Sequence, residues 1–257
     1  MEMSSRVVII KDEMKLEETL EGFPSPTLQK IVLKPNLINA NPPPTTTPVD
    51  VVEILAKYYW KRGYEVIIAE GSGWCETVEA FEKLGYKKLE KYAKLVDLNV
   101  DGYEIRRNPN ALFLKEFEFP LTLKDSYLVS VPILKEHSIT GVSLSLKNML
   151  GATLGVKGRV AKKGRFHRKL DESIVDINTY LRPSLAVIDG RIAGLGGELS
   201  SRPKKMGLMI ISDDPVAADT VAASYLGLNS LSIGHIRLAA ESGLGIADLN
   251  KIKIVVR

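Results

Sequence analysis

Short apolar runs recur along the chain and alternate with segments of helical periodicity. Each run is rich in Val, Ile and Leu and ends at polar or turn-forming residues. The runs are RVVIIK (6–11), KIVLKPNL (30–37), YEVIIAEG (64–71), SYLVSVPIL (126–134), SLAVIDG (184–190) and GLMIISD (207–213). Continuous apolar strands of this kind are usually covered on both faces. The pattern therefore predicts an α/β fold, with a mainly parallel sheet sandwiched between helices.

Two helix starts support this prediction. In TTTPVDVVEILAKYYWKRG, Thr47 is placed to cap a helix and Pro48 to occupy its first position. In SDDPVAADTVAASYLG, Asp214 and Pro215 repeat the same arrangement. Both helices follow apolar runs, as expected for strand–helix–strand units.

The pattern changes in the segment 100–125, where aromatic and polar residues alternate. Such alternation predicts a small antiparallel β insertion. We find no internal repeat and no long linker, so the sequence predicts a single α/β domain over residues 1–257. The alternative is two lobes, 1–125 and 126–257.

Composition narrows the class of protein. No run approaches the roughly 18 apolar residues that a membrane helix needs, and the N-terminus lacks a signal-peptide pattern, so we expect a cytoplasmic protein. The single cysteine, Cys75, cannot form an internal disulfide or hold an iron–sulfur cluster alone. A Lys- and Glu-rich chain with one cysteine is also typical of thermophiles.

The positive charge is local. The segment KGRVAKKGRFHRK (157–169) holds seven Lys or Arg and no acid, more than the formal net charge of +4 for the whole chain. The remainder is therefore slightly acidic, which argues against a general polyanion-binding surface. Nucleic acid is an unlikely partner, since the segment has one aromatic residue and no recognised binding motif.

Polar and charged residues gather where the predicted strands end. They are Lys34, Asn36, Glu70, Ser72, Lys135, His137, Asp189, Asp213 and Asp214. In open α/β sheets, ligands bind beyond the carboxyl ends of the strands. The recurrence at five strand ends predicts a binding site there.

The segment that follows His137 predicts a helix starting at Thr140 or Gly141 with a buried apolar stripe. Lys147 and Asn148 lie within this apolar helix and would lose hydration unless they met a partner. The alternative is that Lys147 extends to solvent and Asn148 caps the helix.

Several motifs together resemble the family of domain of unknown function 362. They are KPN (34–36), VPILKEHSITGVSLSLKNMLG (131–151), His167, IDG (188–190), GLGG (194–197) and DPVAAD (214–219). The resemblance implies a shared site built from Lys34, Asn36, His137, Lys147, Asn148, His167, Asp189, Asp214 and Asp219. Some members of that family carry ferredoxin-type modules with four-iron clusters, but this sequence has no such cysteine set. No established reaction comes with the resemblance.

The leading hypothesis is an enzyme, or enzyme-like protein, that binds a small anionic metabolite bearing a carboxylate or phosphate. Lysines hold anions and amides fix their orientation, so Lys34, Lys135, Asn36 and Asn148 are candidate ligands, with Arg165 from the basic segment. The candidate catalytic residues are His137, His167 and Lys147, with Asp189 or Asp214 orienting a histidine. A non-redox lyase, isomerase or hydrolase would suit a chain without an evident electron carrier.

Two alternatives remain open. The first is a divalent metal bound by His137, His167, Asp189, Asp213 or Asp214, a set that would suit Zn, Mn or Fe(II). The second is an accessory or interaction protein for a redox partner, which only the family resemblance implies.

The basic segment is also predicted to be a mobile lid. Residues 151–169 carry four glycines and no sustained apolar period, so they should bury little surface. The helix that follows, with Asp171 as its cap, would provide a fixed hinge. An anion would then draw His167 and the arginines at 159, 165 and 168 over the strand ends.

Overall fold

The computed structural model describes residues 5–156 and 161–257. The strands are β1 (Ser5–Ile10), β2 (Lys30–Pro35), β3 (Glu65–Glu70), β4 (Lys94–Asp97), β5 (Tyr103–Arg107), β6 (Glu116–Pro120), β7 (Tyr127–Val131), β8 (Ile133–His137), β9 (Gly141–Ser143), β10 (Leu185–Leu195), β11 (Arg202–Ser212) and β12 (Ile252–Val256). The α-helices are α1 (Leu16–Glu21), α2 (Val49–Lys61), α3 (Thr77–Lys83), α4 (Ser145–Asn148), α5 (Leu170–Tyr180), α6 (Pro215–Tyr225) and α7 (Gly234–Glu241).

One mixed sheet contains all the described strands except β5 and β6. Its order is β12-β1-β11-β10-β7-β2-β3-β4, and β8 pairs with β10 and β9. The run from β10 through β7, β2 and β3 to β4 is parallel throughout, whereas β11 is antiparallel to both of its neighbours. The predicted mainly parallel α/β fold is therefore confirmed. The carboxyl ends of β2, β3 and β7 meet at one edge.

Alternation along the strands creates two buried layers. Val8 and Ile10 of β1 pack with Ile31 and Leu33 of β2 on the face that α2 covers. Val7 and Val32 point to the other face, which is covered by helices α4 to α7. Successive side chains of a strand point in opposite directions, so helices on both faces require apolar residues at every strand position. This explains the continuous apolar runs in the sequence.

The predicted β insertion is confirmed. β5 and β6 form a separate two-stranded antiparallel sheet, with Tyr103 opposite Pro120 and Arg107 opposite Glu116. It packs on α5 through Phe117, whose ring stacks on Tyr180 at 4.9 Å between centroids.

The predicted strand 126–134 is divided into β7 and β8 at Pro132. Proline has no backbone N–H, so it cannot donate to a sheet ladder. The chain shifts at this point, and β8 pairs with β10 and with β9 instead of extending β7 beside β2.

The predicted helix start at Thr140 or Gly141 is wrong. Residues Gly141–Ser143 form β9, which pairs antiparallel with β8, and helix α4 begins only at Ser145. Gly141 has φ +77°, a left-handed conformation that suits the turn of a hairpin and interrupts a helix.

Two of the predicted helix caps are also wrong. The Thr47 hydroxyl donates to the Val131 carbonyl at 2.7 Å and accepts from the Asn36 amide at 2.9 Å, so it joins strands instead of capping α2. Asp171 accepts from the His235 amide at 3.1 Å and does not cap α5, which directly continues a 3-10 helix, Gly164–Lys169. In both cases a tertiary partner takes the side chain that the local pattern assigned to the cap.

No helix in the described ranges is long and apolar enough to cross a membrane.

Asp214 does cap α6 as predicted. Its carboxylate accepts from the amides of Val216 at 2.9 Å, Ala217 at 3.1 Å and Ile246 at 3.0 Å. We expect Asp214→Ala to lower the free energy of unfolding by about 1–3 kcal/mol, because buried N–H groups lose their acceptor. Chemical denaturation measures this loss. Asp213→Ala is the matched control, since Asp213 is exposed; equal losses in the two variants would contradict the assignment.

Candidate functional site

A small cavity, about 100 Å³, lies at the carboxyl ends of β2 and β3. Residues of β2, β3, β8, α4 and the segment 161–167 line it. Six predicted site residues are brought together here: Lys34, Asn36, His137, Lys147, Asn148 and His167. They meet because parallel strands end at the same edge of the sheet and α4 crosses above it.

A buried ion pair forms the floor of the cavity. Lys34 Nζ donates to Glu70 Oε2 at 2.9 Å, to Asn148 Oδ1 at 3.1 Å and to the Pro35 carbonyl at 2.7 Å. Burial lowers the pKa of Lys34, and the Glu70 carboxylate opposes that effect. Asn148 Nδ2 in turn donates to the Lys34 carbonyl at 2.8 Å. Asn148 therefore ties α4 to β2 and does not cap a helix end.

Two glycines permit this close packing. The Gly71 amide donates to the Gly151 carbonyl at 2.8 Å, which joins the end of β3 to the segment after α4. A Cβ at Gly151 would collide with the Glu70 carboxylate and Lys34 Nζ. The backbone after α4 can thus approach the ion pair only where there is no side chain.

Asp219 sets the position of α4. Its carboxylate is fully buried and accepts from the amides of Ser145 at 2.8 Å and Leu146 at 2.9 Å, at the first turn of α4. Burial raises the pKa of Asp219 to about 8, although the two N–H donors act in the opposite direction. Asp219 is therefore a support beneath the helix and does not line the cavity.

Lys147 is the exception among the buried lysines. Its side chain lies at the cavity with 8% exposure, and within residues 5–156 and 161–257 its Nζ has no hydrogen-bond or salt-bridge partner. Burial lowers the pKa of Lys147 to about 8, while the more distant charges of Glu198 and Asp171 oppose this shift. The alternative that Lys147 extends to solvent is wrong, because α4 directs the side chain inward.

His137 presents one defined tautomer to the cavity. Its Nδ1 accepts from the amides of Ile139 at 3.1 Å and Thr140 at 3.2 Å. Since both partners are donors, Nδ1 carries no proton and Nε2 carries one. Burial, assisted by the charge of Lys147, lowers the pKa of His137 to about 3. His137 is therefore a neutral hydrogen-bond donor at Nε2.

Glu198 faces His137 from the loop between β10 and β11. Its Oε2 lies 3.9 Å from His137 Nε2 and accepts from the Ser138 hydroxyl at 2.9 Å. Burial acts to raise the pKa of Glu198, but hydrogen bonds from backbone N–H groups and Ser138 outweigh it and hold the pKa at about 2. The carboxylate is thus ionised at the cavity edge.

Two further lysines are buried near the site. Lys163 Nζ donates to the Thr153 carbonyl, and burial lowers its pKa to about 7 against the attraction of Glu70. Lys135 Nζ donates to the carbonyls of Thr45 at 2.7 Å and Glu198 at 3.0 Å. Burial also lowers the pKa of Lys135 to about 7. Lys135 does not line the cavity, because its amine is used to hold two loops together.

Other predicted site residues lie elsewhere. Asp189 is bound by the Arg191 guanidinium, at 2.8 Å to the nearest nitrogen, and lines a separate cavity of about 770 Å³. Asp214 caps α6, as described above. Arg165 pairs with Glu118 at 2.7 Å, outside the cavity. Asp214 lies just beyond the end of β11, but Asp189 lies within β10 instead of at its end. The strand-end pattern also does not specify the direction in which each side chain points.

The basic segment is more firmly packed than its composition indicates. Phe166 is only 3% exposed and belongs to the core, and Lys162 Nζ donates to Glu76 Oε1 at 2.7 Å. The prediction that the segment buries little surface is therefore wrong at residues 162, 163 and 166, whereas residues 164, 165 and 167–169 are exposed. Residues 157–160, including Arg159, lie outside the described residues. Closure as a lid stays a prediction.

The sequence interpretation missed several cavity residues. Glu70 was visible as a strand-end residue but was given no role, and Ser143 fell within the predicted first turn of a helix, whereas it lies on β9. Lys163 lies in the basic segment, and no feature of the sequence distinguishes it as a cavity residue from the neighbouring lysines and arginines. Glu198 follows a glycine-rich turn, and no sequence signal indicates that this loop returns to His137.

The described residues do not fit a metal centre. They contain no group of three or more His, Cys, Asp or Glu side chains arranged to hold a metal ion. A histidine that binds metal through Nε2 normally donates its Nδ1–H to a neighbour. In His137 the arrangement is the opposite, because Nδ1 accepts two N–H bonds.

The family model for the domain of unknown function (DUF362) matches residues 31–224. The chain therefore belongs to this family, and the resemblance noted in the sequence is confirmed. No curated protein and no solved structure matches the chain. The cavity residues of β2, β3, β8 and α4 all fall within the matched range.

We expect Lys147→Met to stabilise the unliganded protein. An unfolded lysine titrates near pH 10.4, but folded Lys147 titrates near 8, so the folded state binds fewer protons between these values. The cost of the buried charge is present in full below pH 8 and fades as pH rises to 10.4. The variant should thus gain roughly 3 kcal/mol at pH 7, and less at pH 10.

Denaturant unfolding at both pH values measures this gain. Lys135→Met is the matched control, because it removes a buried lysine whose amine bonds two carbonyl groups and should lower stability. A Lys147→Met variant that is less stable than the wild type by the same amount at pH 7 and pH 10 would show that the buried charge of Lys147 does not destabilise the protein.

Proposed function

We propose that this member of the domain of unknown function 362 family binds a small carboxylate or phosphate in the cavity and acts on it as an enzyme. The observation that carries the proposal is the buried amine of Lys147, which faces the cavity without a counterion in the described part of the chain. A buried cation without a partner is costly, so the cavity favours a ligand that supplies negative charge.

The charges around the cavity favour the binding of an anion. Lys34, Lys147 and Lys163 line it together with the carboxylates of Glu70 and Glu198. Glu70 is engaged by Lys34 and by the amides of Leu37 and Gly71, and Glu198 by Ser138. Both carboxylates therefore have hydrogen-bond donors within the protein, and neither forms a salt bridge with Lys147 among the described residues.

Neutral hydrogen-bond donors at the cavity also bind the oxygens of the ligand. His137 Nε2–H and the Ser143 hydroxyl face the cavity, and neither has a hydrogen-bond partner among the residues that the structure describes. Asn36 lines the same cavity, and its Oδ1 accepts from the Ile38 amide, which leaves its NH₂ group available. An ammonium group surrounded by directional neutral donors suits the two or three oxygens of a carboxylate or phosphate.

His167 is the group we assign to proton transfer. It is exposed at the cavity rim, and its Nδ1 lies 3.3 Å from the Lys163 carbonyl. A carbonyl only accepts, so Nδ1 carries the proton and Nε2 keeps a free lone pair. His167 is then a base and His137 a donor, two histidines with opposite tautomers. This combination supports non-redox chemistry of the lyase, isomerase or hydrolase type.

A thermal-shift screen with small carboxylates and phosphorylated metabolites tests anion binding. We expect a concentration-dependent rise in Tm for the wild type, because a ligand that binds only the folded state stabilises it. Lys147→Met should lose that rise. Lys162→Met is the matched control, since Lys162 pairs with Glu76 away from the cavity and should keep it. Equal shifts in wild type and Lys147→Met would refute the site.

Anion affinity should also fall as pH rises above about 8. The protonated form of Lys147 attracts the ligand, and burial places the pKa of Lys147 at about 8, so the attracting charge is lost above that value. Binding near pH 8.5 should be coupled to proton uptake, because the anion raises this pKa. Calorimetry in two buffers of different ionisation enthalpy measures the uptake. An affinity that is constant from pH 7 to 10 would exclude Lys147 as the anion ligand.

A further inference from the structure

We infer that Lys147 also acts as a nucleophile, forming an imine with the carbonyl carbon of a 2-oxo acid held in the cavity. The inference rests on the proposed anion site and specifies its substrate class: a small carboxylate with an adjacent ketone or aldehyde. What carries it is the contrast between Lys147 and the other buried lysines around the site.

Five lysines are buried in this region of the described structure, and four of them have their amines engaged, Lys162 by Glu76. Lys34 Nζ is held by Glu70, Asn148 and a backbone carbonyl. Lys135 Nζ donates to two backbone carbonyls, and Lys163 Nζ to one. Lys147 Nζ faces the cavity with no partner in residues 5–156 and 161–257. Attack on a carbonyl requires a free lone pair, and this amine is the one positioned to offer it.

Burial alone does not distinguish these lysines. It lowers the pKa of Lys135 and Lys163 to about 7, further than the value of about 8 at Lys147. By acidity, Lys135 and Lys163 would be the better nucleophiles. Their hydrogen bonds leave the lone pair of a neutral amine in place but hold each amine at a backbone carbonyl, Lys163 at Thr153 and Lys135 at Thr45 and Glu198, and Lys135 does not line the cavity. Geometry therefore selects Lys147.

The surroundings of Lys147 suit the reaction. His137 Nε2–H and the Ser143 hydroxyl are donors for the carbonyl or carboxylate oxygens of the ligand. The adjacent wall includes Ile38 and Leu150, which limit the access of water. The His167 Nε2 lone pair at the rim is placed to accept and return protons. The small volume favours a short chain such as that of pyruvate or glyoxylate.

The reaction balances without any redox partner. The neutral Lys147 amine attacks the carbonyl carbon, a C–N bond forms, and the amine proton moves to the carbonyl oxygen to give a carbinolamine. His167, after taking up a proton from solvent, donates a second proton to the hydroxyl oxygen; the C–O bond then breaks, and the oxygen leaves as water. The product is a protonated imine, whose positive charge is retained beside the ligand carboxylate. Hydrolysis reverses each step.

Reductive trapping tests the inference. The wild-type protein is incubated at pH 7.5 with pyruvate and sodium cyanoborohydride, which supplies the hydride that converts the imine to a stable carboxyethyl amine. A pKa about two units below that of an exposed lysine gives roughly a hundred-fold larger neutral fraction at this pH. We therefore expect one adduct per chain, located by peptide mapping at Lys147, well before exposed lysines react.

Two variants and a competing anion serve as controls for this experiment. Lys147→Met should not form the rapid adduct, Lys162→Met should form it as the wild type does, and inorganic phosphate should slow it by occupying the anion site. No adduct, an adduct at Lys163 or Lys135, or labelling spread evenly over exposed lysines would each overturn the inference. A protein that gives thermal shifts with carboxylates but no adduct would keep the anion site and lose the imine; a protein that gives neither loses both.

Discussion

The ion pair between Lys34 and Glu70 is the interaction on which the site depends. Both side chains are almost fully buried, so each would be costly alone, and their attraction together with surrounding hydrogen bonds compensates for the lost hydration. The pair joins the ends of β2 and β3 and also receives Asn148 of α4. Because three elements meet at one buried charge pair, the floor of the cavity has a single favoured arrangement.

Helix α4 shows how a very short element can be held precisely. It has four residues, too few to be stable by itself. Asp219 accepts hydrogen bonds from the first two amides of the helix, and Asn148 at its last position donates to the Lys34 carbonyl of β2. Asn178 further bonds the Leu146 carbonyl at 2.9 Å. Asp219 of α6, Asn178 of α5 and the bond from Asn148 to β2 together fix the helix, and the helix fixes Lys147.

The electrostatics of the site follow from what surrounds each group. His137 and His167 are the same residue type, but backbone amides surround Nδ1 of the first and a carbonyl faces Nδ1 of the second. One histidine is thereby a donor towards the cavity and the other an acceptor. Lys34 and Lys147 differ in the same way, since Glu70 stands beside the first and no carboxylate contacts the second among the described residues. Since both lysines are buried, it is the neighbouring carboxylate that distinguishes Lys34 from Lys147.

The amino-acid sequence by itself determined the α/β architecture, because apolar runs covered on both faces leave a pattern that needs no tertiary information. It also predicted six site residues that line the cavity, since parallel strands end at one edge and the family motifs include these residues. They are Lys34, Asn36, His137, Lys147, Asn148 and His167. Only the tertiary structure decided that Lys135, Asp189, Asp214 and Asp219 serve other purposes, because strand-end position does not specify which partner captures a side chain. Glu198 and Lys163 reach the site through loops whose paths depend on long-range packing. The tautomer of each histidine is set by backbone groups two to four residues away, but the orientation of those groups depends on the folded conformation of the chain. That Lys147 has no hydrogen-bond partner among the described residues likewise depends on tertiary packing.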